Sequence, residues 1–234
     1  ILLKQSLEKL KVYDDISAKL YFDLSTWIDE DGNTPMFSFN PKKRKTDKEE
    51  FDKIHKKYFK GYDYAVDIDA DDIMVAHRDT AKIKKIFDDF RLPYSLKFSG
   101  GKGFHFLIED KWFNNKIKPK NKVITFGKIA QGIIGGCGLR SINDKKEKGT
   151  FDDSIYDDRR IFKLAYSLQN KDGKEYVCLP LTDWQFEHFN LKDMELNNVM
   201  MTTKIKERGL LARTHGLTEN QLKDNVSIFL KEFK

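Results

Sequence analysis

From Gly61 the sequence takes a period of two in YDYAVDID, Tyr62 to Asp69, and ends on alternating apolar and acidic side chains that run into an acidic loop. Side chains two apart on a strand project from the same face. Val66 and Ile68 therefore turn towards a core, and Asp67 and Asp69 share the opposite face. A chain carrying this pattern needs a sheet with one face covered and the other bearing two neighbouring carboxylates, which repel unless a cation lies between them. Hard divalent ions such as Mg²⁺ take oxygen ligands of this kind, usually one or two carboxylates completed by phosphate oxygens and water. Taken alone, the same letters also describe a polar strand end running into a loop, with Asp71 and Asp72 as solvated overflow.

The periodicity around this segment predicts an alternating set of elements. Leu3, Leu7, Leu10, Ile16 and Leu20 give residues 2–22 helical spacing, a loop with Asp31, Gly32, Asn33 and Pro35 follows, and MFSF reads as a short strand. DKEEFDKIHKKYF reads as a helix. After the YDYAVDID strand, a helix starting near Asp79 presents Ile83, Ile86, Phe87 and Phe90 and closes at Leu92-Pro93. Strands at about 94–99 and 104–108 flank a glycine turn. KVITFGKIAQGIIGG forms a helix on Val123, Ile129, Ile133 and Ile134, strands follow at about 161–164 and 176–179, and Thr218 with Gln221 caps a last helix. Strand, helix, strand, strand, helix, strand is the order of a ferredoxin-like or palm-like unit, so the fold class is α+β. We expect one domain over 1–234: an accessory N-terminal α/β part over 1–60, an RRM-like or palm-like mixed-sheet core over 61–180, and a helical part over 181–234. The start at Ile1 and the stop inside a helical pattern read as a piece cut from a longer protein.

Composition narrows the partners. The 234 residues include 18 Phe, so burial is carried largely by rings, and a sizeable core is available. Lys and Arg number 43 against 37 Asp and Glu, a net charge of +6, with the excess concentrated in PKKRK, KIKPKNK and NDKKEKG. Such runs suit either a polyanion or a solvated loop. Cys137 and Cys178 lie far apart without a CxxC pair, which supports neither a disulfide framework nor a cysteine-rich zinc site. No apolar run approaches the roughly 20 residues that cross a bilayer. We expect no membrane partner and a reducing compartment, the cytoplasm and nucleoid of a prokaryote.

The turn SGGKGFH is the second unusual stretch. Gly100, Gly101 and Gly103 let the backbone approach a ligand closely, Lys102 adds a charge suited to phosphate, and Ser99 adds a hydroxyl. His105 points opposite to Phe104 and Phe106, and if that side also carries Asp67 and Asp69 the histidine can donate to a phosphate while the carboxylates hold its metal. The turn lacks the GxxxxGK[ST] pattern of a Walker A loop, and on its own it also reads as an ordinary hairpin. A third stretch, FDDSIYDDRRIFKLAYSLQNKDG, supplies Asp152 or Asp153 as a further carboxylate and Lys163 to offset phosphate charge. Three carboxylates suit a two-metal phosphoryl-transfer site, in which the ions stabilise the attacking and leaving oxygens.

Together, Asp67-Ile68-Asp69, the Ser99 to His105 turn, and Asp152 ahead of RIFKLAYSLQ resemble the three motifs of the archaeo-eukaryotic primase superfamily. The resemblance covers roughly 51–173. It implies a template-directed nucleotidyltransferase that starts and extends primers on single-stranded DNA. Asp67, Asp69 and Asp152 would hold two Mg²⁺ or Mn²⁺ ions. Ser99, Gly100, Gly101, Lys102, Gly103, His105, Lys163 and Ser167 would bind the incoming ribo- or deoxyribonucleoside triphosphate, and Asp152 is preferred to Asp153 by its spacing to Arg160. Template contacts would come from Arg159, Arg160, Lys145 and Lys146, and other domains of the parent protein would be partners. Family members often have arginine where Gly101 stands and histidine where Gln169 stands, and the frequent zinc module is missing. Those departures point to a prokaryotic primase-polymerase of plasmid, viral or CRISPR-associated type. Two other functions share parts of the pattern: a non-catalytic RRM-like nucleic-acid-binding module, and a metal-dependent nuclease, which has no need of a triphosphate cradle.

Overall fold

The computed structural model describes residues 21–27, 31, 48–157, 160–201 and 212–233. The helix over 2–22 (apart from its last residues), the MFSF strand, the PKKRK run and Arg159 lie outside them. Tyr21, expected near that helix end, belongs instead to a strand.

Strands β1 (Tyr21–Asp23) and β2 (Ser25–Trp27) come first, followed by helix α1 (Lys48–Tyr58), β3 (Phe59–Tyr62) and β4 (Tyr64–Asp69). Helix α2 (Ile73–Asp89) leads to β5 (Ser95–Phe98) and β6 (Gly103–Ile108), and α3 (Lys122–Gly136) follows. Three short strands come next, β7 (Ile161–Lys163), β8 (Leu168–Lys171) and β9 (Lys174–Val177). Helices α4 (Asp183–Glu187), α5 (Leu196–Met201) and α6 (Glu219–Phe233) complete a mixed α+β fold with small antiparallel sheets.

The central sheet runs β4-β6-β5, all antiparallel, with Asp67 opposite His105 and His105 opposite Lys97. Both of its edges are extended by irregular chain. Asp69 N–H donates to the Thr150 carbonyl at 2.8 Å and Asp152 N–H to the Asp67 carbonyl at 2.9 Å, so residues 150–152 lie along β4. On the other edge Phe98 N–H donates to the Leu179 carbonyl at 2.9 Å. The expected last strand of the unit thus differs: β7 pairs with β1, and the short 150–152 stretch takes the place beside β4.

One sheet face carries Tyr64, Val66, Ile68, Leu96, Phe98, Phe104 and Phe106, all buried. Rings from three helices meet there: Phe87 of α2, Phe126 of α3 and Phe229 of α6 lie 6.4, 5.0 and 6.4 Å from the Tyr64 ring. Aromatic pairs at such spacings add to plain area burial. Helix α2 starts six residues before Asp79, because Asp72 caps it by accepting from Met74 N–H at 2.8 Å. The apolar run Ile73-Met74-Val75 hides that start from a search for helical spacing. The Thr218–Gln221 box before α6 forms as expected, with Thr218 N–H donating to Gln221 Oε1 at 2.9 Å.

The KIKPKNK run is only partly a surface feature. Lys122 is buried and donates to Asp110 and, at 3.3 Å, to Asn114 Oδ1. Asp110 N–H in turn donates to Asp63 Oδ1 at 2.7 Å, so one lysine of that run closes an internal polar network. Among the described residues no helix is long and apolar enough to cross a membrane, and Cys137 and Cys178 are free thiols.

Candidate active site

The polar face of the central sheet is built by register. Asp67 on β4, His105 on β6 and Lys97 on β5 are direct cross-strand neighbours, and all three are buried. Strand β7 lies over this row: the Phe162 ring stacks on His105 with centroids 4.1 Å apart, and Lys97 Nζ sits 5.0 Å from the same ring.

The glycine turn brings the second motif to the end of β4. Ser99 N–H donates to the Gly103 carbonyl at 2.9 Å and Gly103 N–H to Ser99 Oγ at 3.1 Å, so the serine hydroxyl closes the turn as well as lining the cleft. Gly100 has φ +83°, a left-handed conformation that favours glycine. A Cβ on Gly103 would stand 1.7 Å from the Ile68 carbonyl oxygen and 2.5 Å from Asp69 Oδ1. The glycine is what allows the Asp69 carboxylate to lie over the turn. Lys102 is exposed and donates to Asp71 Oδ1 at 2.6 Å, and Lys148 Nζ approaches Asp71 Oδ2 at 3.8 Å. Asp71 is thus an ion-pair partner at the rim.

The third motif reaches the site through the backbone bonds of 150–152. Asp152 Oδ1 accepts from Ser154 N–H at 2.9 Å and Ser154 Oγ at 2.5 Å, and Oδ2 accepts from Arg160 Nη2 at 3.1 Å. Asp153 faces elsewhere, accepting from Ser141 Oγ at 2.6 Å and from Asn143 and Gln131 at 3.0 Å. Burial would raise its pKa, but these three bonds outweigh that and hold it below the usual carboxylate range. Of the two candidates, Asp152 adjoins Asp67 and Asp69. The stretch is braced from behind by Asp79, whose Oδ2 accepts from Thr150 Oγ1 at 3.0 Å.

A cleft of about 470 Å³ opens at the polar face, within the roughly 300–1,000 Å³ of small-molecule sites, and Asp152 reaches it only through its partner Arg160. Asp67, Asp69, Ser99, Gly101, Lys102, His105, Arg160 and Lys163 line it together with Gln169. Lys163 Nζ donates to Gln169 Oε1 at 2.9 Å, and the Gln169 side chain packs against Gly100. Ser167 is fully buried and does not line the cleft. Lys145 and Lys146 are exposed on the loop that carries Lys148, outside the cleft lining. Arg160 is in the cleft, paired with Asp152. Lys97 is the residue that sequence reasoning missed; its signal was its parity with Ser95 and Ser99 in SLKFS.

The electrostatics are strained in one direction. Burial, then the charges of Asp69 and Asp152, push the Asp67 pKa well above the carboxylate range. Burial and Asp152 also raise Asp69, against Lys163, Lys102 and Arg160. Burial, then Lys97, Lys163 and Arg160, hold His105 well below its ordinary pKa, so the imidazole is neutral. Asp67 Oδ1 and His105 Nδ1 are both buried without a hydrogen-bond partner, and His105 Nε2 stands 3.5 Å from Asp67 Oδ1. Buried polar atoms left unsatisfied call for a ligand or another explanation. Among the described residues no group of three or more His, Cys, Asp and Glu side chains is gathered tightly enough to hold an ion. Asp67 and Asp69 are the carboxylates that face the cleft, and Asp152 is engaged by Arg160.

No known family model matches the chain. An uncharacterized protein of Methanocaldococcus jannaschii is 31% identical over 145 residues, 59% of this chain and 32% of that protein. The chain therefore spans about a third of the length of that relative. Among solved structures, the polymerase domain of Mycobacterium tuberculosis Ligase D in complex with DNA aligns over 90% of this chain and 60% of that one, with a TM-score of 0.47 and 11% identity.

Proposed function

We propose that the chain is a nucleotidyltransferase of the primase-polymerase kind, joining nucleoside triphosphates on a single-stranded DNA template. The observation that carries this is the meeting in one cleft of unsatisfied carboxylate oxygen and a ring of cations, Lys102, Lys163 and Arg160. Carboxylates alone would serve hydrolysis of a phosphodiester equally well. The cations beside the glycine turn match a triphosphate, whose charge they would offset.

In this proposal Asp67 and Asp69, with Asp152, would hold Mg²⁺ or Mn²⁺, and Arg160, which pairs with Asp152, would also face the phosphates. The bound ions supply Lewis-acid stabilisation of the phosphate oxygens. The primer 3′ hydroxyl would give its proton to solvent as its oxygen attacks the α-phosphorus, the bond to the β-phosphate oxygen would break, and pyrophosphate would leave with negative charge that Lys102 and Lys163 neutralise. The neutral His105 donates one ring N–H to the nucleotide while Phe162 keeps the ring orientation fixed. Template and primer contacts fall to the exposed basic loop of Lys145, Lys146 and Lys148, which borders the turn through Asp71.

The test is incorporation of labelled nucleotides on single-stranded template, with and without primer, in Mg²⁺ and in Mn²⁺. Products that vanish in an Asp67→Ala, Asp69→Ala double variant support the proposal. Shortening of the template under the same conditions establishes a nuclease instead. No product of either kind, with DNA still bound, leaves a non-catalytic binding module.

A further inference from the structure

We propose that Lys97 is a positioning residue of this site: from beneath the cleft its ammonium holds the main chain of β7, and so sets where Lys163 and Phe162 stand. The role rests on the nucleotidyl-transfer proposal above. Lys97 Nζ donates to the Lys163 carbonyl, and the Phe162 ring bridges Lys97 and His105. Strand β7 is three residues long and pairs with β1. These contacts to Lys97 and His105 tie it to the polar face of the central sheet, beside the pairing with β1 and the Arg160–Asp152 ion pair at its start. Lys163 projects from this strand into the cleft, and Arg160 immediately precedes it.

A lysine is an expensive choice here. It is 2% exposed, and burial lowers its pKa against the opposing pull of Cys178 and Asp67. A buried ammonium carries a desolvation cost that an apolar side chain of similar volume does not. Local rules are broken mainly at functional sites. Alternation in SLKFS would let a methionine lie under Phe162 just as well, so packing alone does not explain the ammonium.

The experiment compares Lys97→Met with Lys97→Gln, whose amide still donates to a carbonyl. Hydrogen–deuterium exchange is followed on peptides covering 160–165, and binding of inorganic triphosphate with Mg²⁺ is measured by calorimetry. For Lys97→Met we expect exchange in that segment to quicken and triphosphate affinity to fall, each about tenfold or about 1.4 kcal/mol, with no loss in melting temperature. Lys97→Gln keeps more of both. A Met variant whose exchange rises evenly through β4, β5 and β6 and whose melting temperature drops makes Lys97 a fold residue and overturns the proposal, as does unchanged exchange at 160–165. Should the Met variant fail to fold, the Gln variant decides: folded, with 160–165 protected, it supports the role, and unfolded it refutes it. Wild-type protein that binds no triphosphate refutes the nucleotide proposal, while the exchange comparison still judges the hold on β7.

Discussion

Asp63 offers a measurable test of the polar network behind the sheet. Its pKa is raised from 3.8 to about 6 by burial, aided by the charges of Asp110 and Glu109 and opposed by the Asp110 N–H bond and Lys122. The folded protein therefore keeps a proton that the unfolded chain releases. Stability from this group is fully present below about pH 3.8 and is lost as pH rises through about 6. At 1.36 kcal/mol per pKa unit, holding that proton is worth on the order of 3 kcal/mol. Asp63→Asn retains the acceptor for Asp110 N–H at 2.7 Å but cannot ionise. Urea unfolding followed by circular dichroism at pH 4, 5, 6 and 7 should show the variant gaining on the wild type by up to about 3 kcal/mol across the window. The other raised carboxylates, Asp67 and Asp69, titrate equally in both proteins and cancel in the difference. Parallel stability curves for the two proteins would mean that Asp63 is solvated and ionised in the fold, and the network Asp63–Asp110–Lys122 would have to be redrawn.

Five further variants probe the site. Gly103→Ala, whose methyl meets the Ile68 carbonyl oxygen at 1.7 Å, should cost about 3 kcal/mol or more in a melting series. Gly101→Ala meets nothing closer than Gln169 Cγ at 3.6 Å, and should stay within about 0.5 kcal/mol. Asp152→Asn should reduce nucleotide incorporation by about 10²-fold or more. Asp153→Asn should leave incorporation near wild type and lower stability by about 1 kcal/mol. Asp79→Ala removes the acceptor of Thr150 Oγ1 and should cost about 1–3 kcal/mol. It should also lower incorporation, because Thr150 and Asp152 lie on the same strand edge; incorporation unchanged despite that loss of stability would show that Asp79 does not brace Asp152.

The parts of this site that are legible in sequence are those decided by local geometry. Alternation places Asp67 opposite in direction to Val66 and Ile68, and His105 opposite to Phe104 and Phe106, while it is the register that puts Asp67 and His105 on the same face. Glycine at 103 is readable as a close approach, although not what it approaches. What is not legible is set by contacts between distant segments. The choice between Asp152 and Asp153 depends on one backbone bond to Asp67, 85 residues earlier, and on Ser141, Asn143 and Gln131 capturing the other carboxylate. Ser167 shares its motif with Lys163, yet the turn through Ala165 and Tyr166, the latter at φ +66°, takes it under the surface.

Lys97 shows the limit most clearly. Between Leu96 and Phe98 it has the spacing of an outward-facing strand lysine, and in isolation the face it shares with Asp67 and His105 would be wet. That face is covered only because β7, some 65 residues further on, lies across it. Alternation determines which face of a strand a side chain occupies, and chain topology determines whether that face meets water. The same covering makes Asp67, His105 and Lys97 buried polar groups together. A cleft that strips water from a carboxylate, an imidazole and an ammonium raises the cost of each, and it leaves Asp67 Oδ1 and His105 Nδ1 without protein partners. A divalent ion on the first and a phosphate oxygen on the second would satisfy both, which ties the unusual burial of this row to the nucleotide chemistry proposed for it.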